Sequence, residues 1–136
     1  MSNYYYLKEN SSEVSVMVEV ETIGNASTIV TRKRTGGSYV VIAESESDAS
    51  GSIPETEIGL SNELIQSVIV VDTAILLDGI PPGQYDKVFE DLRIKVTMEG
   101  GIDGDQRFNL KETEKKQFMD KTLIVASMAI KLTTQF

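Results

Sequence analysis

The sequence predicts an all-β fold, a single-domain β-sandwich or open barrel of about eight strands with one or two short helices. Three observations carry that expectation. Val14, Val16, Val18 and Val20 alternate with Ser15, Met17, Glu19 and Glu21, the period of two of a half-buried strand. Residues 27–34, 67–77 and 122–133 are rich in β-branched side chains and are set apart by Gly, Pro, Asn and Ser. Tyr85, Val88, Phe89 and Leu92 fall at i, i+3, i+4 and i+7, the spacing of one short amphipathic helix.

Taken in order, Tyr4, Tyr5, Tyr6 and Leu7 read as a first strand or as an aromatic binding surface. Gly24 and Asn25 turn the chain after residue 21, and Gly36 and Gly37 close a hairpin from 27–34 into 38–44, so three strands in a meander are expected. Residues 45–52 hold no apolar side chain larger than alanine, which predicts a mobile loop without a hydrophobic anchor. Pro54 confines 53–60 to an edge or irregular strand, because proline donates nothing to a ladder. Ser61 and Gly79 could delimit a helix, but Val68, Ile69, Val70, Val71, Thr73 and Ile75 favour a buried strand after one helical turn. Leu92, Ile94 and Val96 restart the period of two, a glycine-rich loop spans 100–104, and 107–110 returns as the hairpin partner. Thr113 is placed to cap a turn or two of helix through Phe118 before the last strand.

Composition bounds the function. With 136 residues, 40% hydrophobic and 25% charged, the chain has the makings of one globular domain with an ordinary core. Histidine and cysteine are both absent, so Ser-His-Asp and Cys-His catalysis, histidine-ligated metals and disulfides are excluded. No cofactor is expected. The net charge of −8 opposes binding to nucleic acid and to anionic lipid, and the one basic group, Arg32, Lys33 and Arg34, alternates over both faces of its strand. The first ten residues lack the features of a secretory leader, and the longest apolar run is broken by Asp72, far short of the roughly 20 residues of a membrane span. A cytoplasmic protein is the expectation.

Carboxylate chemistry remains open in principle. Asp72, alone in an apolar stretch, reads as a buried acid held by a cation or by backbone N–H groups rather than as a catalytic one. Asp103 and Asp105, in a loop with Gly100, Gly101 and Gly104, are candidate calcium ligands, although they lack the Asp-x-Asp-x-Asp-Gly pattern and suit a plain turn better. The strongest anomaly lies in the last strand. If Ile124, Ala126, Met128, Ile130 and Leu132 are buried, the opposite face shows Leu123, Val125, Ser127, Ala129 and Lys131, which is mostly apolar and must be covered. The amphipathic helix is the simplest cover, and another subunit or partner is the other. The expected function is therefore a non-enzymatic structural or protein-interaction module, such as a self-associating component of a larger microbial or phage assembly. Its interaction residues would be Leu123, Val125, Ala129, Tyr4, Tyr5 and Tyr6. The alternative is a small-molecule or calcium-binding sandwich or barrel.

Overall fold

A computed structural model describes residues 3–34, 36–46 and 50–134. The fold is all-β, in two sheets with short helical pieces. In chain order the elements are β1 (Asn3–Tyr6), β2 (Glu13–Glu21), β3 (Asn25–Arg34), β4 (Tyr39–Glu44), β5 (Ile53–Leu60), α1 (Ser61–Leu64), β6 (Ser67–Leu76), α2 (Tyr85–Asp91), β7 (Arg93–Gly101), β8 (Gly104–Asn109), β9 (Lys115–Phe118) and β10 (Leu123–Thr133). The larger sheet runs β1-β10-β6-β3-β4, with β9 sharing an edge of β10, and the smaller runs β5-β2-β7-β8.

The strands bury alternate residues, as the period of two requires. Val14, Val16 and Val18 of β2 face Ile69, Val71 and Ile75 of β6 and Ile124 to Leu132 of β10 across one shared core. Thr28 and Thr73 stand opposite each other on the inner face of the larger sheet, and their buried hydroxyls satisfy one another at 2.8 Å. The two ends of the sandwich are closed by the helices. At one end Leu64 of α1 is buried, and Arg32 donates to Ser67 Oγ at 3.1 Å and to the Glu63 carbonyl. Burial, and then the neighbouring Arg34, lowers the Arg32 pKa. At the other end Val88 and Leu92 are buried, and the ammonium of Lys115 donates to the Phe89 carbonyl at 2.6 Å and lies 4.6 Å from the Phe89 ring centre. Lys115 thus meets free carbonyls at the C-terminal end of α2, where a cation is favoured.

Several expectations change. β2 and β3 do not form a meander with β4: the turn at 22–24 carries the chain from the smaller sheet to the larger, where β3 lies between β6 and β4. Residues 115–118 are strand rather than helix, because pairing with β10 outweighs the single 3₁₀ turn at Glu112–Glu114. Of the loop expected to be mobile at 45–52, residues 47–49 lie outside the described residues, and its described flanks carry hydrogen bonds. Ser45 Oγ accepts from Thr28 N at 2.9 Å and Ser52 Oγ from Val20 N at 3.0 Å. Pro54 sits on β5, an edge strand, as expected.

Tyr5 clamps the two sheets together at the β1 edge. Its hydroxyl accepts from Gly101 N at 2.7 Å and donates to the Gly104 carbonyl at 2.8 Å, joining β1 to the β7–β8 turn. The glycines make room: a Cβ at Gly101 would lie 2.6 Å from Tyr5 Cζ, and one at Gly100, where φ is 100°, would lie 2.1 Å from the Glu13 carbonyl oxygen. Burial raises the Tyr5 pKa, the Gly101 N–H opposes the shift, and Asp105 and Asp103 add to it. The clamp therefore stabilises the fold fully below the unfolded tyrosine pKa of about 10 and loses its contribution as pH rises above that, because the unfolded chain releases this proton first. Replacing Tyr5 by Phe should cost about 1–3 kcal/mol at neutral pH. Urea melts should then show the gap between wild type and Tyr5→Phe narrowing above about pH 10; a gap that widens there contradicts the clamp.

Candidate interaction face

The outer faces of the two sheets differ in kind. On the smaller sheet the outward positions carry charge in register, with Glu19 opposite Lys95, Glu21 opposite Arg93, and Ser15 between Glu57 and Glu99. This face is wet by design, since ion pairs such as Glu19–Lys95 at 3.5 Å sit in solvent. On the larger sheet the outward positions form rows across the strands. Phe118, Leu123, Leu76 and Asn25 make the first, and Lys116, Val125, Ala74 and Ser27 the second. Ser127, Asp72, Ile29 and Glu44 follow, then Ala129, Val70, Thr31 and Val41. The fifth is Tyr4, Lys131, Val68, Lys33 and Tyr39.

That face is open. Leu76 is 47% exposed, Phe118 46% and Ile29 41%, while Leu123, Val125, Val70 and Val68 are half-buried by their neighbours in the sheet. The helix expected to cover it lies elsewhere. Lys115 bonds the end of α2, and Gln117 donates to Asp86 of α2 at 3.1 Å. Both residues stand opposite inward Ala126 and Ile124 of β10, so α2 closes the end of the sandwich beneath the inner face. The Asp86 carboxyl is held below its ordinary pKa by bonds from Gln117 and Lys121.

The near end of the face is sharpened by its turn. Met119, Asp120 and Lys121 adopt φ of 53°, 56° and 71° in succession, a left-handed run that costs roughly 1 kcal/mol or more per residue without glycine. Thr122 holds it by donating its N–H and hydroxyl to the Met119 carbonyl, at 3.2 and 2.6 Å, and Lys121 holds it through Asp86 at 3.0 Å. The turn leaves Phe118 and Met119 exposed beside Leu123 and Leu76.

The sequence-predicted residues divide accordingly. Leu123, Val125 and Ala129 lie on this face, and Tyr4 joins it at the β1 edge beside Lys131. Tyr6 takes the same side two residues on, opposite Thr133. Tyr5 does not: it points inward, 1% exposed, as the clamp described above. Asp72 is a correction of another sort, since it is exposed on the outer face and not a buried acid. Asp103 lies in the two-residue turn between β7 and β8 with Gly104 at φ 74°, and Asp105 follows on β8. No third His, Cys, Asp or Glu joins them in a metal-sized group among the described residues. Reading along one strand at a time hid Leu76, Ile29, Val70 and Val41, which only the pairing with β10, β6 and β3 brings into one surface. For Leu76 and Val70 a signal was present, since both the odd-numbered and the even-numbered positions of 67–77 are mostly apolar.

Among the concave features is a groove of about 530 Å³ between α2 and the 20–23 turn, lined by Val20, Glu21, Ile23, Lys87, Val88 and Asp91 among others. Its Lys87 and Asp91 are exposed and paired with each other at 3.1 Å, leaving few charges to converge on a ligand. Among the described residues no helix is long and apolar enough to cross a membrane. The fold and this face define an all-β sandwich with one polar and one apolar outer sheet surface. No family model, curated protein or solved structure matches the chain.

An uncovered outer face makes opposite demands on two neighbouring positions. Val125→Lys, on the outer face, should cost under about 1 kcal/mol, whereas Met128→Lys, inward and buried, should cost roughly 4 kcal/mol or more by burying an unpaired charge. Denaturant melts of dilute protein measure both; a severe loss at Val125 would mean the face is covered within the chain.

Proposed function

We propose that this protein is a non-enzymatic structural module that works by protein–protein contact, with the outer face of the larger sheet as its docking surface. The observation that carries this reading is the mixed outer face itself: Phe118, Leu76, Ile29, Val41 and Tyr39 stand exposed between polar and charged neighbours, with no cover among the described residues. Exposed large apolar side chains gathered on one sheet face and rimmed by polar residues mark a site of association. The core behind it is closed, with both ends stopped by α1 and α2, which favours a surface function over an interior ligand site. The absence of histidine and cysteine from the sequence supports a non-catalytic role.

The test is site-specific photo-cross-linking in cells that make the protein. A photoreactive residue at Ser127, exposed in the middle of the larger sheet's outer face, should give a discrete protein adduct. The same residue at Glu19, exposed on the smaller sheet, should give none. Equal labelling at both positions, or no adduct at Ser127, removes the docking reading.

A further inference from the structure

The charges on the docking face are arranged for a second copy of the same chain, and we infer that the face pairs with itself about a two-fold axis. This rests on the docking reading above and names its occupant. Asp72 and Glu44 lie in one outward row, Lys131 and Lys33 in another, and the uncharged row Ala129–Val70–Thr31–Val41 runs midway between them. Asp72 is four residues along β6 from Val68, which pairs with both Lys131 and Lys33, so the two charged rows are about 13 Å apart within one chain. That is beyond reach of an ion pair. Among the described residues, none of the four groups is in a salt bridge, and the Lys33 ammonium lies over the Tyr39 ring at 5.3 Å.

A two-fold axis along the uncharged row, in the plane of contact, lays each charged row over its opposite. The partner's Lys131 then falls over Ser127 and the partner's Lys33 over Ile29, one on each side of Asp72, with Glu44 next to the partner's Lys33. The uncharged row meets itself, placing Val70 over its copy at the centre and Val41 over its copy at the β4 edge. Other axes lose this match. An axis along β6 sets Lys33 against Lys131, and one along the acidic row sets Asp72 against itself, so the charge pattern selects a single arrangement.

Size agrees with the charge. With strands about 4.8 Å apart and about 3.3 Å of rise per residue, the five-strand face spans roughly 800 Å², the share one partner contributes to a standard interface. A sheet face is well matched by another sheet face packed with its strands nearly aligned. A two-fold contact uses the same patch on both copies and therefore closes at two chains.

Light scattering across a concentration series reads the outcome. Interfaces of this size range from micromolar to picomolar affinity, so above micromolar concentration the wild-type mass should be that of two chains. Asp72→Lys alone should be monomeric, and so should the double variant Lys33→Asp with Lys131→Asp. All three positions are exposed, and unchanged circular dichroism confirms that the variants fold. Mixing the two variants sets position 72 of each chain against positions 33 and 131 of opposite charge on the other, and should restore a mass of two chains. A monomeric wild type, a mass that climbs past two chains, a dimeric Asp72→Lys, or a mixture that stays monomeric overturns the two-fold pairing. A monomeric wild type that still gives a Ser127 adduct with a different protein overturns the pairing and leaves the docking reading in place; loss of the adduct as well removes both.

Discussion

The pairing of β10 along most of both edges is the constraint on which the rest of the structure depends. Residues 123–131 pair with β6 on one side, and the other side is divided between β9 at 123–126 and β1 at 130–133. A strand in that position must bury one face completely, and Ile124, Ala126, Met128, Ile130 and Leu132 are all at most 1% exposed. Because side chains alternate, the same register sends Leu123, Val125 and Ala129 outward. β6 repeats the pattern, with Val71, Thr73 and Ile75 inward and Val70, Ala74 and Leu76 outward. The interactions that build the core therefore also build the apolar outer surface, and neither strand can shift by one residue without exposing its inward set.

The remainder of the fold keeps that surface clear. Both helices are spent on the ends of the sandwich, one held by Arg32 and the other by Lys115, so neither is free to lie over the larger sheet. The left-handed run at Met119 to Lys121 is compensated by Thr122 and Asp86, and its effect is to hold Phe118 and Met119 at the rim. On the opposite sheet the outward rows are mostly polar and charged, with Met17 opposite Thr97 between them. Buried and exposed apolar side chains are thus divided between the two faces of one sheet.

Much of this was legible in the sequence where a single strand reports its own environment. The alternation of Val14 to Val20, the hairpin at Gly36 and Gly37, the edge strand at Pro54 and the short helix at Tyr85 all depend on local period or backbone chemistry. What was not legible depends on which strands meet. The turn at Thr22 to Gly24 is equally compatible with a hairpin and with a crossing between sheets, and only the partnership of β3 with β6 decides it. The same holds for the site. Val125 and Leu123 were readable as outward and apolar, but the rows that join them to Leu76, Val70 and Ile29 are a property of register. Asp72 was misjudged because its apolar flanks suggested burial, when the strand's alternation puts it on the surface. Tyr5 was indistinguishable from Tyr4 and Tyr6 until its hydroxyl was seen to reach Gly101 and Gly104.

The central claim is that the outer face of the larger sheet is covered by another protein molecule and not by this chain itself. Methyl NMR with a soluble paramagnetic agent tests it most directly, because it reads the solvent exposure of individual side chains on one face. In dilute solution the methyls of Val70, Val125 and Leu76 should be broadened by the agent, as Ile23 at 73% exposure should be. As concentration rises, the first three should become protected while Ile23 remains accessible. If Val70, Val125 and Leu76 stay as accessible as Ile23 at every concentration, and in the presence of any protein captured through Ser127, the face is not an interface and the account is wrong.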